Sequence, residues 1–147
     1  MSHVRQQIRE RFATTVTGLT TTGSNVFQSR VYNLESGNLP GIIIYTKSEE
    51  SQPVSIGSSR TIERILSLNV EAYVKAVSNS DDTIDLIAKE IETAVAADTT
   101  LNSLAKDCFL EATEINYNGE GERPISVMTM TYQIMYITAE AAPGTAL

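Results

Sequence analysis

The sequence has one cysteine, one histidine and no tryptophan. The lone Cys108 excludes an intrachain disulfide, and without a second histidine or cysteine a zinc site is not expected. His3 precedes the first predicted helix, in a terminus where packing does not hold partners around a side chain. A Ser–His–acid triad would depend on this one residue, so we expect no enzyme active site and no cofactor.

Long apolar runs are also missing. The pure apolar stretches, such as residues 42–45, are far shorter than the roughly 18 residues that a membrane-spanning helix needs. The charged start of the sequence is not followed by an apolar signal-peptide core, which favours an intracellular origin. With 147 residues, 41% of them hydrophobic and 20% charged, the chain is predicted to fold as one domain rather than remain disordered.

Positive charge is scarce, and the two signs are unevenly distributed. The formal net charge is −7, which disfavours non-specific binding to nucleic acid. Residues 1–80 hold eight basic and six acidic side chains, whereas residues 81–147 hold three basic and twelve acidic ones. A subunit with unlike surfaces can pack head to tail against its copies and close into a ring. Since halves of a sequence need not be halves of a surface, both interpretations stay open.

Two amphipathic helices are predicted. The first has apolar residues four apart and ends near residues 14–18, where β-branched residues and a glycine lower helix propensity. The second opens at residues 79–82, and its Asp81, Asp82 and Asp85 are interpreted as charges that suit a helix N-terminus rather than as calcium ligands. The apolar positions are Val4, Ile8, Phe12 and Val16 in the first helix and Ile84, Ile87, Ala88, Ile91, Ala94 and Val95 in the second.

Five strands are predicted from composition and alternation. They cover residues 26–32, 39–46, 61–75, 108–117 and 125–137, and a polar, glycine-containing loop makes the last two an antiparallel hairpin. Leu66, Leu68, Val70, Ala72 and Val74 share one face of the clearest strand. Met128, Met130, Tyr132 and Tyr136 share a face of the last one, where core packing is favoured over a contact surface.

The connections complete the predicted fold. Residues 47–59 are polar and are predicted to be a mobile connection, and residues 139–147 a frayed tail. A short helical turn is expected to present Leu101 and Leu104. The order α-β-β-β-α-β-β predicts the α+β class: a single domain over residues 1–138, with a mostly antiparallel sheet, two helices packed on one face and a flexible tail at 139–147.

Several segments resemble one protein family in their order and spacing. A first helix with Val4-Arg5-Gln6-Gln7-Ile8-Arg9 is followed by Arg30-Val31-Tyr32 and by Leu39-Pro40-Gly41-Ile42-Ile43-Ile44-Tyr45. A polar segment with Glu49-Glu50 precedes Leu66-Ser67-Leu68-Asn69-Val70-Glu71-Ala72-Tyr73, and the second helix follows Asp81-Asp82. Met130-Thr131-Tyr132-Gln133-Ile134-Met135-Tyr136 closes the pattern. Together these segments resemble the tail-terminator proteins of long-tailed bacteriophages, the minor tail protein U family of lambda-like phages.

The resemblance implies a structural protein of the virion, made in the host cytoplasm and located at the head-proximal end of the tail. It implies a homo-hexameric ring that caps the tail tube, ends its polymerisation and offers the docking surface for the head. The implied partners are the major tail tube protein and a head-completion or connector protein. DNA would pass through the ring without specific binding, which a channel poor in lysine and arginine favours.

Contacts of the ring or of the tube are expected to use charged side chains. The candidate cations are Arg5, Arg9, Arg11, Arg60 and Arg64, which would meet Asp107, Glu111 and Glu114 of a neighbour. Lys47, Glu49 and Glu50 are further candidates on the polar segment, which a neighbour or the tube end would order. Two alternatives remain open: a head–tail joining or neck component, and a small ligand-binding regulatory α+β module.

Overall fold

The computed structural model describes residues 1–28, 39–57, 59–75, 78–118 and 125–147. Within these residues the element order is α-β-β-β-α-β-β-β, which confirms the α+β class and adds one strand to the prediction. The predicted Arg30-Val31-Tyr32 segment and the loop at 119–124 lie outside the described residues. The elements are α1 (Val4–Thr15), β1 (Val26–Phe27), β2 (Gly41–Pro53), β3 (Thr61–Lys75), α2 (Ser80–Ala96), β4 (Asp107–Asn118), β5 (Ile125–Ala139) and β6 (Ala142–Ala146).

The strands form one sheet in the order β1-β2-β3-β5-β4, and β6 also pairs with β5. β1 runs parallel to β2, and every other pair is antiparallel. β3 and β5 are paired along their whole lengths, from Thr61 opposite Ala139 to Lys75 opposite Ile125, and form the centre of the sheet. β2 and β4 therefore flank the central pair on opposite sides, β2 beside β3 and β4 beside β5.

The hydrophobic core lies between the two helices and one face of the sheet. Alternate residues of β3 and β5 are buried there, as period-two alternation predicts. The Phe12 ring of α1 packs edge-on against Tyr132, with ring centroids 5.2 Å apart. The predicted apolar stripe of α1 is buried, as are Ile84, Ile87, Ile91 and Val95 of α2. Met128, Met130, Tyr132 and Tyr136 are buried too, so the core interpretation is confirmed.

The polar segment after residue 46 continues β2 instead of forming a long connection. β2 extends to Pro53, which lies opposite Ile62 of β3, and the Val54 amide donates to the Thr61 carbonyl. The prediction of a connection was therefore wrong for residues 47–53. A ladder of main-chain hydrogen bonds needs no apolar side chains, so a polar segment can form a strand as well.

Residues 142–146, predicted as part of a frayed tail, form β6 beside the end of β5. The Leu147 amide donates to the Ile137 carbonyl over 2.9 Å, and Gln7 Nε2 of α1 donates to the Gly144 carbonyl over 2.9 Å. Residues 144 and 147 make these contacts through main-chain groups, which leave no hydrophobic pattern in the sequence. The domain limit at residue 138 stays a prediction.

The turn between α2 and β4 is left-handed. Leu101, Asn102 and Ser103 have φ of 48°, 59° and 66°, a conformation that costs residues other than glycine about 1–2 kcal/mol each. Leu101 is fully buried in the core, which offsets part of that cost. The short helical turn predicted here therefore has the opposite hand, although it does present Leu101 to the core.

Candidate assembly surfaces

An extra residue in β2 determines where its acidic side chains point. Thr46 lies opposite Leu68 and Ser48 opposite Ser67, so Lys47 forms a bulge between them. Because side chains alternate along a strand, the bulge shifts the alternation by one residue. Glu49 then lies opposite the buried Leu66 and faces the helices. Without the bulge it would point to the opposite face.

Glu49 is the centre of a buried ionic cluster. Its Oε2 accepts hydrogen bonds from Arg5 Nη1 at 2.6 Å and from Arg64 Nη1 at 3.4 Å, and the Tyr136 hydroxyl donates to Oε1. The side chain of Glu49 is 9% exposed and that of Arg64 is 14% exposed. Burial and the hydrogen bond to Glu49 raise the pKa of Tyr136, so it stays a donor. We name Glu49, Arg5, Arg64 and Tyr136 the Glu49 cluster.

His3 has a defined structural role next to this cluster. Its Nδ1 accepts a hydrogen bond of 3.0 Å from the Arg5 amide and caps the N-terminus of α1. Burial lowers the pKa of His3, and the nearby positive charges of Arg5 and Arg64 lower it further. The neutral ring that results can accept the capping bond. His3 is thus a helix cap, although the sequence predicted a terminus without packed partners around this side chain.

Arg11 also has a partner in its own chain. Its Nε lies 2.9 Å from Oδ2 of Asp98, which also accepts from the Thr15 hydroxyl at 3.1 Å. The other oxygen of Asp98 accepts from the Asn102 amide in the left-handed turn. Burial opposes ionisation of Asp98, but these hydrogen bonds outweigh it and hold its pKa below the usual value.

The other candidate cations have no carboxylate partner within the part of the chain that is described. Arg9 donates from Nε to the amide oxygen of Gln28 at 3.4 Å, a neutral and weak contact. Arg60 and Lys47 are exposed and make no ion pair with a described residue. Arg9, Arg60 and Lys47 are therefore the candidates whose charge is available to another molecule.

The candidate acids on β4 are exposed and likewise unpaired with described cations. Glu111 accepts a hydrogen bond from Gln133 Nε2 at 2.5 Å, and Asp107 accepts one from the adjacent Cys108 amide at 2.9 Å. Glu114 is exposed in the middle of the strand. The structure does not bring these acids to the candidate cations of the same chain, so their pairing stays a prediction about separate copies.

The charge asymmetry of the sequence is also an asymmetry in space. α1 packs on β2 at one end of the central pair, whereas α2 packs over β3, β5 and β4. α1 and β2 together carry four basic and three acidic side chains. α2 and β4 together carry one basic and eight acidic side chains. The molecule therefore has an acidic end and an end with a slight excess of positive charge.

The sheet face away from the helices carries a hydrogen-bonded polar network that the sequence did not reveal. The hydroxyls of Tyr45 and Tyr73 donate to the two oxygens of Glu71 at 3.0 and 2.9 Å. Asn69 donates to the Tyr45 hydroxyl at 3.2 Å and accepts from the Thr131 hydroxyl at 2.9 Å. The alternation of β3 indicated that its polar residues share one face. Their hydrogen-bond partners could not be identified, because they depend on the register of β3 with β2 and β5.

That open face is also acidic. Its regularly paired positions carry five carboxylates and one basic residue, counted over the described strands. Burial, together with its bond to Glu71, raises the pKa of Tyr73, so its hydroxyl remains a donor to that carboxylate. The five acids are Glu50, Glu63, Glu71, Asp107 and Glu114, and the base is Lys75.

The described residues offer neither a cluster of metal ligands nor a helix suited to a membrane. They contain no group of three or more histidine, cysteine, aspartate or glutamate side chains placed to hold a metal ion. Neither of the helices in this part of the chain combines the length and apolar character that crossing a bilayer demands.

Known proteins provide a family match. The model of the family described as phage minor tail protein U matches residues 2–136. A solved structure, "Virion of native gene transfer agent (GTA) particle", is similar over 90% of this chain and 90% of that chain, with 13% sequence identity and a TM-score of 0.38. No curated protein matches the chain.

Proposed function

The chain belongs to the phage minor tail protein U family, and from this premise we propose that it is a tail terminator. A protein of this family is a structural component of the phage tail and so of the virion. In the proposed role six copies form a ring on the end of the tail tube, stop the addition of tube protein and present the surface to which the head docks. The role is structural and not catalytic.

The observation that carries the ring is the unlike charge of the two ends of the sheet. A head-to-tail contact joins two different surfaces of one subunit, and repeated rotation closes such contacts into a ring. The acidic end at α2 and β4 suits a neighbour that presents the more basic end at α1 and β2. A two-fold dimer formed through either end alone would instead place like-charged surfaces against each other.

The available charges narrow the expected ring contacts. Arg5, Arg64 and Arg11 already have partners in their own chain, so we assign them to holding α1 in position. Arg9, Arg60 and Lys47 are left to meet the carboxylates of the next copy. Those carboxylates are Asp107, Glu111 and Glu114 on β4.

The open face of the sheet suits the lining of the channel. DNA binds proteins largely through lysine and arginine contacts to its phosphates. A face with five carboxylates and one lysine repels phosphate, and DNA would slide past it without specific binding. The partners at the two ends of the ring are then the major tail tube protein and a head-completion or connector protein.

Polymerisation of the tube protein in vitro tests the proposal. Purified tube protein would be allowed to polymerise with increasing amounts of this chain, and tube lengths would be measured by negative-stain electron microscopy. A terminator shortens the tubes in a dose-dependent way and leaves a six-fold ring at one end. Unchanged tube lengths, with the protein bound to connectors instead, would support a head–tail joining role and contradict the terminator.

A further inference from the structure

The tip of the hairpin between β2 and β3 presents apolar side chains to solvent. Val54 is 50% exposed and Ile56 is fully exposed. Residues 51–62 carry one charged side chain, that of Arg60, which is exposed and forms no ion pair with a described residue. Exposed apolar side chains that are grouped, rather than scattered singly, indicate a contact surface. We name Val54, Ile56 and Arg60 the hairpin tip.

A second group of exposed apolar side chains lies on β4. Phe109, Ile115 and Tyr117 are 54%, 52% and 69% exposed. Ile115 lies opposite Met128 and Tyr117 opposite Ser126, and both of these β5 residues are buried on the side of the helices. Ile115 and Tyr117 therefore point to the helix side of the sheet, at an end of β4 that α2 leaves exposed. We name these two residues the β4 shelf.

Carboxylates border the β4 shelf. The Ser126 hydroxyl donates to the Ser80 hydroxyl at 3.3 Å, so α2 begins next to this end of β4. Asp81 and Asp82, the next residues of α2, are exposed, as is Glu114, which precedes the shelf on β4. None of these three carboxylates forms an ion pair with a cation that the structure describes. The shelf is thus an apolar surface with an anionic border.

The hairpin tip and the β4 shelf cannot touch within one chain. The hairpin tip lies beyond Thr61, which is opposite Ala139 at the end of β5, whereas the shelf lies opposite the start of β5. β5 has fifteen residues and therefore spans about 45 Å, at roughly 3.3 Å per residue. A contact between the two surfaces would join different parts of two copies, as a head-to-tail ring requires.

The two surfaces are complementary in chemistry. Each offers two apolar side chains that are separated by one residue, and their removal from water favours association. The hairpin tip is cationic and the border of the β4 shelf is anionic, and opposite charges select the partner and its orientation. Two hairpin tips, or two shelves, would place like charges against each other. The partner that fits each surface is therefore the other surface, on a second copy.

We propose that the hairpin tip of one copy docks on the β4 shelf of the next copy. Val54 and Ile56 cover Ile115 and Tyr117, and Arg60 meets the carboxylates of the border. This inference rests on the proposed ring and names two surfaces that join its subunits.

Cysteine cross-linking tests the proposal in the full chain and leaves the contact residues in place. Ser59→Cys at the hairpin tip and Thr113→Cys, beside the shelf on the same face of β4, would be prepared separately and together. Thr93→Cys, exposed on α2, is the matched control for Thr113→Cys. Burial raises the pKa of the native Cys108 thiol to about 12, so this thiol stays unreactive near neutral pH. A short bis-maleimide would be applied to concentrated protein and to tube ends that carry it.

The expected result is directional. A mixture of the two single variants forms a cross-linked dimer, neither variant links to itself, and the double variant forms a ladder that ends at the closed ring. Pairing Ser59→Cys with Thr93→Cys gives at most background. A six-fold ring in which Ser59→Cys links to Thr113→Cys no more than to Thr93→Cys would overturn the docking and leave the ring intact. A ladder that closes at another number would support the docking and contradict the hexamer.

Substitution of the contact residues gives a second readout. Ile56→Ser and Tyr117→Ser should each raise the protein concentration that half-occupies tube ends at least about tenfold, because apolar area then stays in water. The two together should cost at most about twofold more than one alone, because the residues contact each other. Leu86→Ser, at an exposed apolar residue of α2 outside both surfaces, is the control and should change the concentration less than about twofold. Fully additive losses, or an equal loss in the control, would contradict the proposal.

Discussion

At the scale of single residues, Glu49 links three parts of the fold. Its carboxylate holds Arg5 of α1, Arg64 of β3 and Tyr136 of β5. A buried carboxylate is tolerated because it is paired and hydrogen-bonded, and removing its charge leaves two guanidinium groups without a counter-charge. The Glu49 carboxylate therefore helps to fix α1 on the sheet, in addition to the buried apolar face of the helix.

The Glu49→Gln variant tests this dependence. It keeps the shape of the side chain and removes its charge, so the free energy of unfolding should fall by about 2 kcal/mol. Glu50→Gln, the exposed neighbour on the same strand, is the control and should change it by less than about 0.5 kcal/mol. Urea denaturation followed by circular dichroism measures both, and equal losses in the two variants would contradict the role of the cluster.

Asp98 should make stability depend on pH. Its pKa in the folded chain lies below the ordinary 3.8, so its contribution is complete above pH 3.8 and is lost as the pH falls through the folded value. Asp98→Asn should cost about 0.5–1 kcal/mol at pH 7, as expected for a partly exposed ion pair. The difference from the parent should narrow below pH 3.8 in urea titrations. A difference that is constant with pH would show that charge is not the cause.

At the scale of elements, the bulge at Lys47 matters more for the stability of the fold than the chemistry of the Lys47 side chain does. Deleting Lys47 restores regular alternation and turns Glu49 away from α1, since a one-residue slip moves each side chain to the other face. Deletion of Ile56, fully exposed in the hairpin tip, is the matched control. The Lys47 deletion should lower the free energy of unfolding by at least about 2 kcal/mol more than the control. Thermal unfolding compares the two, and similar losses would contradict this account.

The elements that bury a hydrophobic pattern could be predicted from the sequence. The alternation of β3 and β5 and the apolar stripes of both helices each correspond to one face of the core. The extension of β2 through residues 47–53 could not be predicted in this way, since its hydrogen bonds to β3 use the main chain. β6 was missed for the same reason, because its residues carry no alternating pattern.

The candidate surfaces were predictable only in part. The sequence identified the charged residues but not which of them already had partners. Arg5 and Glu49 are 44 residues apart, and their contact exists only because the bulge turns Glu49 toward α1. The exposure of Phe109 depends on β4 being an edge strand, which the order of the strands decides. Long-range pairing of this kind is not encoded in local periodicity.

At the scale of the whole molecule, the two ends of the described sheet differ in charge. Membership of the family assigns the chain to the phage tail. The charge asymmetry of the subunit supports assembly of copies in one direction. In the proposed ring, Asp107, Glu111 and Glu114, which form no ion pair with a described cation, would meet the cations of a neighbouring copy. The proposed function therefore lies at contacts between copies and not in a pocket of one subunit.

Tail length in particles made without this protein is the most direct test of the account. Phage particles would be produced from a genome in which its reading frame is interrupted, and their tails would be measured by electron microscopy against a complemented control. A tail terminator predicts tails that are overgrown and variable in length and that lack heads. Tails of normal, uniform length that are detached from heads would contradict termination.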